Sequence, residues 1–497
     1  NGYNQPMNIY EAHLGSWKQG LGYRELAHEL IDYVADMGYT HIELMPLMEY
    51  PYDPSWGYQV TGYYAATARY GDPEELMYFV DCAHAAGLGV IMDWVPAHFT
   101  KDAHGLRLFD GTPLFEHPDP RRGEMPQWGT LLFNFEQTQV QSFLLSSAMY
   151  WLREFHFDGL RVDAVSAMLY LDFGKSAGEW LPNRFGGRDN LDAIAFFRKL
   201  NSAVGKLSGG KMLFAEESSA YPYVTRPVSE DGLGFAYKWN MGWMNDMLSY
   251  MGMDSIYRKY HHDKLTFSLC YAFSEHYVLP FSHDEVVHGK KSMLSKMPGD
   301  YWQQFAQLRL LYAYQYAHPG KKLMFMGCEF GQYIEWKEDD SLDWFLLDYP
   351  KHAEMQLYVH DLNHFYLDNP PMFEVDDSWA GFRWCGVDDN IHSILSFMRT
   401  DRAGNSLFWA FNFTPQPWMD YMIGVPRYGL YTEVFSTDAP YYGGTGDYPN
   451  APTMSVYEPY GEHPCRIRLR LPPFGAVCYC ITPKPLPKVA VKEEDDA

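Results

Sequence analysis

Five acidic residues stand directly after short apolar runs: Asp93 closes Gly-Val-Ile-Met-Asp, Asp163 closes Gly-Leu-Arg-Val-Asp, Glu216 and Glu217 close Leu-Phe-Ala-Glu-Glu, and Asp284 closes Leu-Pro-Phe-Ser-His-Asp. One acid at such a place is usually a helix cap or half of an ion pair. Several on one rim are a different matter, because paired carboxylates supply a proton donor and a nucleophile. Arg161 lies two residues before Asp163, on the same face of an extended segment, where its charge would keep the carboxylate ionised. Glu216 and Glu217 are adjacent and must point to opposite faces, so one of them at most enters a common site. His98 and His283 add hydrogen-bonding groups suited to a polyhydroxylated ring. With no His or Cys cluster at ligand spacing, the pattern favours acid/base and nucleophilic chemistry, glycosyl transfer first, over a divalent-metal hydrolase.

These residues need a scaffold that brings distant strand ends together. Eight apolar runs recur between residue 7 and about 330: Met7–Ala12, His41–Pro46, Gly89–Val95, Gly159–Ala164, Met212–Glu217, Phe235–Asn240, Tyr277–Asp284 and Lys322–Glu329. The sixth is the weakest. Between several of them lie stretches with helical spacing, at Leu21–Met37, Glu74–Ala86, Val140–Phe155, Leu191–Val204 and Tyr301–Tyr316. Gly38, Gly87 and the Gly209-Gly210 pair follow such stretches as expected C-caps. Strand and helix alternating eight times predicts an α/β fold, a (β/α)8 TIM barrel over residues 1–375, with a Gly-, Pro- and Asp-rich insertion at about 98–135. Short alternating segments at Ser393–Met398, Leu407–Asn412 and Ile467–Leu471 predict an all-β C-terminal sandwich over 376–482, and 483–497 reads as a disordered acidic tail.

Composition restricts the partners. The 497 residues carry a formal charge of −24, which disfavours nucleic acid and anionic membrane surfaces, and nowhere do 18 apolar residues run together. Seven cysteines without metal-like spacing suggest a reducing, cytoplasmic compartment. Aromatic residues make up 17% of the chain, a surplus whose physical use is stacking on sugar rings.

Four segments then carry a resemblance. Asp93-Trp-Val-Pro-Ala-His98, Gly159-Leu-Arg-Val-Asp163, Phe214-Ala-Glu-Glu-Ser218 and Phe281-Ser-His-Asp-Glu-Val286 resemble, in order, the four sequence regions of the α-amylase superfamily. Tyr10-Glu-Ala-His-Leu-Gly-Ser-Trp17, Ser55-Trp-Gly-Tyr-Gln59, Met326-Gly-Cys-Glu-Phe-Gly331, Glu335-Trp336 and Ser341-Leu-Asp-Trp344 narrow the likeness to bacterial 1,4-α-glucan (glycogen) branching enzymes, from about residue 7 to 480. The resemblance implies that Asp163 is the nucleophile, Glu216 the general acid/base and Asp284 the transition-state stabiliser. It further implies that Asp93, His98, Arg161 and His283 line the same glucose subsite, with Tyr58 stacking on the ring. Trp336 and Trp344 are further candidates for glucan contact. The implied activity is cleavage of α-1,4-glucan and transfer of the chain to a 6-hydroxyl, on glycogen or an amylose-like polysaccharide, by a monomer without metal or cofactor. A hydrolase of the same superfamily, debranching or trehalose-releasing, and a non-catalytic glucan-binding scaffold are the alternatives. Two departures stand out: Asp53-Pro54 and Ala97 occupy positions where the family favours smaller residues or glycine. The sequence also starts at the first expected strand, where related branching enzymes carry one or two β-rich modules beforehand, so a shortened chain or a naturally short member is expected.

Overall fold

The computed structural model describes residues 2–486. Eight parallel strands close into a barrel: β1 (Asn8–Ala12), β2 (His41–Leu44), β3 (Gly89–Trp94), β4 (Gly159–Val162), β5 (Met212–Ala215), β6 (Tyr237–Trp239), β7 (Tyr277–Phe281) and β8 (Lys321–Phe325), each bonded to its neighbours in chain order and β8 back to β1. The sixth run forms a strand of only three residues. The principal helices are α1 (Tyr23–Asp36), α2 (Pro73–Ala85), α3 (Thr138–Glu154), α4 (Leu191–Val204), α5 (Met241–Met251), α6 (Tyr301–Ala317) and α7 (Pro350–Asp368). Gly38 and Gly87 take the left-handed conformation just after α1 and α2, where a Cβ would be strained. The Gly209-Gly210 expectation is corrected: α4 ends at Val204 with Gly205 as its cap, so the pair belongs to the following turn.

Side-chain alternation arranges the barrel interior in layers. A lower layer is apolar and includes Ile9, Ile91, Phe214, Tyr237, Trp239 and Leu323. Two residues further along the strands come Glu11, Asp93 and Phe325, with Glu43 and Arg161 beside them, all buried. Asp163 and Glu216 stand one step higher, at the rim. The core thus turns from apolar to charged in the direction in which the strands end.

The insertion after β3 folds into a small three-stranded sheet of His98–Phe99, Glu124–Met125 and Thr130–Leu132. Beyond α7, a six-stranded sheet runs in the order Phe382–Gly386, Ile394–Thr400, Ser406–Asn412, Gly475–Pro483, Gly429–Ser436, Thr453–Met454. A two-stranded sheet of Trp418–Val425 and Cys465–Leu471 packs on it around Phe408, Ile423, Tyr431, Ile467 and Tyr479. Of the stretch expected as a tail, Pro483 still pairs with Gly429, and residues 487–497 lie outside the described residues. No described helix is long and apolar enough to cross a membrane.

Candidate active site

A pocket of about 420 Å³ opens at the carboxyl ends of the strands. Asp163, Glu216, Asp284, His98, His283 and Tyr58 line it, so six of the ten residues singled out by sequence converge from five strand ends or loops. Main-chain geometry holds the first two acids. Asp163 N–H donates to the Trp94 carbonyl (3.0 Å) and Glu216 N–H to the Val162 carbonyl (3.1 Å), continuing the ladder past the ends of β4 and β5. Ala164 then adopts a left-handed conformation (φ 52°), and its N–H donates to Glu216 Oε2 at 2.7 Å. A non-glycine residue in that region is strained, and here the turn fixes the acid of one strand against the backbone of the next.

Arg161 is the electrostatic centre. Its Nη1 donates to Asp93 Oδ1 (2.7 Å) and Asp163 Oδ1 (2.8 Å), while Nη2 lies 3.7 Å from Glu216 Oε2. Its guanidinium rests on the Trp239 ring at 4.6 Å. Burial acts on all three acids and Arg161 opposes it, with opposite net results. Burial raises Glu216 to about 8 despite Arg161, with the neighbouring Asp163 charge adding to the rise. Burial also pushes Asp163 upward, but Arg161 and His98 outweigh it and hold this carboxyl below the ordinary range. Two carboxyls on adjacent strands are therefore driven apart, one protonated and one ionised at neutral pH. His98 Nε2 stands 3.7 Å from Asp163 Oδ2.

The opposite wall is built on His283. Glu11, from β1, accepts the His283 backbone N–H at 3.0 Å and the ring Nδ1–H at 2.5 Å. Burial lowers the imidazole pKa, but Glu11 and Asp284 more than reverse this and raise it to about 9. The other ring nitrogen, Nε2, lies 3.3 Å from the Tyr58 hydroxyl, within hydrogen-bond reach, and 3.6 Å from Asp284 Oδ1. Tyr58 stacks on the His283 ring (5.5 Å, 22°) and donates its hydroxyl to Asp93. Asp284 has 47% of its side chain exposed, against 12% for Asp163.

Four expected contacts fall elsewhere. Asp93 and Arg161 are each about 1% exposed and lie beneath the pocket rather than on its wall, because their mid-strand positions point into the filled barrel. Asp93, raised to about 7 by burial against the pull of Arg161, supports Arg161 and Tyr58. Trp336 is buried behind Trp56, with Nε1 donating to Ser16 Oγ at 2.8 Å. Trp344 packs edge-on to Trp17 and donates to the Trp17 carbonyl at 2.7 Å. Both tryptophans fasten the last barrel loop to the first one. Conversely, Trp56, Trp128, Phe173, Ser218 and His288 line the pocket without having been singled out. Trp56 sits inside the Ser55–Gln59 motif, and Glu11 is a lone charge in an apolar strand, so both carried a readable signal. His288 likewise sits inside Ser282–Gly289, a segment similar to the family, whereas Trp128 had no such signal, since it reaches the site by loop folding.

Two family profiles match, alpha amylase catalytic domain over residues 20–107 and alpha amylase C-terminal all-beta domain over 384–482. The 1,4-alpha-glucan branching enzyme GlgB of Halothermothrix orenii is 54% identical over 483 residues, covering 96% of this chain and 76% of that protein. The chain belongs to the 1,4-alpha-glucan branching enzyme family. The family's GlgB from Nitrosococcus oceani is 53% identical over 481 residues, 95% of this chain and 64% of the relative, so the chain spans about two thirds to three quarters of these relatives' lengths. Among solved structures, the alpha-amylase from Geobacillus thermoleovorans, complexed with acarbose, superposes with a TM-score of 0.68 at 15% identity over 97% of this chain and 99% of that chain, a likeness of fold.

Proposed function

We propose that this chain is a retaining α-glucanotransferase that cleaves α-1,4-glucan and rebuilds the released chain as an α-1,6 branch. The observation that carries the reading is the convergence of Asp163 and Glu216 from adjacent strand ends into one pocket around a shared guanidinium, 2.8 Å and 3.7 Å from Arg161, with burial and charge driving their protonation apart. Protonated Glu216 gives its proton to the departing glycosidic oxygen while Asp163 attacks the anomeric carbon. Asp284, the most exposed acid of the three, faces the charge that develops on the ring, and His283 donates from Nε2 to a sugar hydroxyl. In the second half-reaction the Glu216 carboxylate takes the proton of a glucan 6-hydroxyl as that oxygen displaces Asp163. Tyr58 and Trp56 present apolar ring surface to the sugar in the pocket. The substrate is glycogen or an amylose-like glucan, and the protein works as a cytoplasmic monomer; the seven unpaired cysteines support the location.

The test is to incubate the protein with amylose, digest with a debranching enzyme, and count new α-1,6 linkages against new reducing ends. Branches should dominate. Reducing ends alone would make the protein a hydrolase, and neither product a glucan-binding scaffold. Asp163→Ala should lower either activity by several orders of magnitude.

A further inference from the structure

Consecutive barrel strands are joined through at least one α-helix at every step but one. Between β5 and β6, residues 216–236 run as loop with a single short turn at Val228–Glu230. Tyr237 and Trp239 face the barrel interior, so Lys238 between them faces out, onto a flank that has no helix to cover it. The outward pair Lys238 and Glu217, 5% and 1% exposed, close on each other at 2.6 Å. Above them lies a lateral cleft of about 560 Å³, larger than the catalytic pocket. It adjoins that pocket: Ser218 lines both, while of the two adjacent glutamates Glu216 lines one and Glu217 the other.

The lining has a definite chemistry. Tyr221 and Tyr271 form walls, and Tyr223 and Phe267 stand at the edges, 46% and 57% exposed. Flat apolar faces with this exposure suit the C–H faces of sugar rings. Asn240 on the floor is 2% exposed; its Oδ1 accepts the Trp243 N–H at 2.9 Å, and its Nδ2 has no partner among the described residues. A buried amide left without a partner is unfavourable, and a ligand hydroxyl would satisfy it. The two lysines at the cleft are paired, Lys238 with Glu217 and Lys264 with Asp246 at 3.0 Å, and the Arg226 guanidinium lies on the outer face of the Tyr223 ring at 3.6 Å. A neutral, polyhydroxylated chain fits all of these features.

We propose that this lateral cleft is a second α-glucan site, which holds the acceptor chain beside the catalytic pocket. The inference rests on the transferase reading above and deepens it. With a chain anchored in the cleft, its 6-hydroxyl competes with water for the glycosyl group on Asp163. The new C1–O6 bond forms as the C1–Asp163 bond breaks, the hydroxyl proton passes to Glu216, and Asp163 leaves as a carboxylate. The cleft therefore sets the partition between transfer and hydrolysis and leaves the first cleavage step alone.

Tyr223→Ala with Phe267→Ala removes two exposed edges with no buried packing at stake. On amylose, this double variant should lower the ratio of new α-1,6 linkages to new reducing ends by about tenfold, the loss of roughly 1.4 kcal/mol of stacking, with total cleavage within about twofold of the parent. An unchanged ratio would overturn the proposal. If the parent protein itself makes no α-1,6 linkages, the transferase reading fails instead, and the two failures are told apart. A direct measurement uses saturating maltoheptaose on the Asp163→Asn protein: amide exchange should slow over residues 218–224 and 264–271 as well as around the pocket, and slowing confined to the pocket would count against the cleft.

Discussion

Glu216, raised to about 8 by burial, keeps its proton through neutral pH, whereas Arg161 and His98 keep Asp163 ionised to below the ordinary carboxylate range. The active form has the first protonated and the second not, so kcat/KM should fall as pH rises through about 8 and hold on the acid side to below the usual carboxylate range. Glu216→Gln should move the alkaline limb from about 8 up to about 9, where His283 loses its proton, and lower the rate by about 10² to 10⁴, measured on amylose between pH 4 and 10. A second residue-scale prediction concerns Glu11. Its two hydrogen bonds hold His283 as an imidazolium against burial and against the nearby Arg161 charge; Asp284 supports the same form, while Tyr58 and His13 complete the surroundings. In Glu11→Gln the backbone contact survives and the charge does not. His283 should then lose its proton below neutrality rather than near 9, and the alkaline limb of kcat/KM should move down by more than one pH unit. Selective histidine NMR on both proteins reads the same shift directly, and an unmoved limb would leave Glu11 with a packing role only.

Individual elements are specified by local chemistry that the sequence displays. Helix α6 starts with a reciprocal cap: Asp300 accepts the Gln303 N–H at 2.9 Å, and Gln303 Oε1 accepts the Asp300 N–H at 3.1 Å. Asp300→Ala should cost about 1 kcal/mol, seen as a lower urea midpoint with activity retained. The helix matters beyond its own stability, because it is buried on nearly every side, wedged between barrel and sandwich, with Arg309 Nε donating to the Thr437 carbonyl at 2.8 Å. A helix buried on all faces shows no amphipathic stripe, so its existence was legible and its neighbours were not. The missing helix between β5 and β6 is the complementary case. Residues 218–236 contain Pro222, Pro227 and two glycines, which explains the absence of a helix, yet only the closed barrel shows that a cleft results.

On the scale of the whole molecule, one buried cluster joins the two parts. Asp376 accepts from Lys321 Nζ of β8 at 3.0 Å and from Arg399 Nη2 of the sandwich at 2.6 Å, and all three side chains are fully buried. Arg399 also donates to the carbonyl of Ala317 at the end of α6. Asp376→Asn would leave two cations facing a neutral amide and should cost about 3–5 kcal/mol, read as a loss of thermal stability. Burial raises the Asp376 carboxyl, but Lys321 and Arg399 overcome it and hold the pKa below the ordinary value. Its contribution to stability is therefore present above the unfolded value of about 3.9 and is lost as pH falls through the lower folded value.

Strand ends, helix caps and the order of the four acid-bearing segments follow from short stretches of chain, because side-chain alternation and local backbone bonding act over a few residues. By those rules the sequence alone determined the barrel, the strand-end positions of Asp163, Glu216 and Asp284, and that one glutamate at most of the adjacent pair enters the site, while the choice of Glu216 came from the family resemblance. Which aromatic rings line the pocket was decided by tertiary structure. Trp336 and Trp344 had the right type and went into packing against Ser16 and Trp17, while Trp128 and His288 were brought to the pocket by loops whose paths depend on contacts far along the chain. The same holds for the charges: Arg161 and Asp93 look like wall residues in sequence, and only closure of the barrel buries them under the floor, where their neighbours set the protonation of Asp163 and Glu216. Burial and long-range charge are properties of the assembled molecule, and of the five acids at strand ends they bring three to one pocket, with Asp163 ionised and Glu216 protonated, while Asp93 lies beneath it and Glu217 pairs with Lys238.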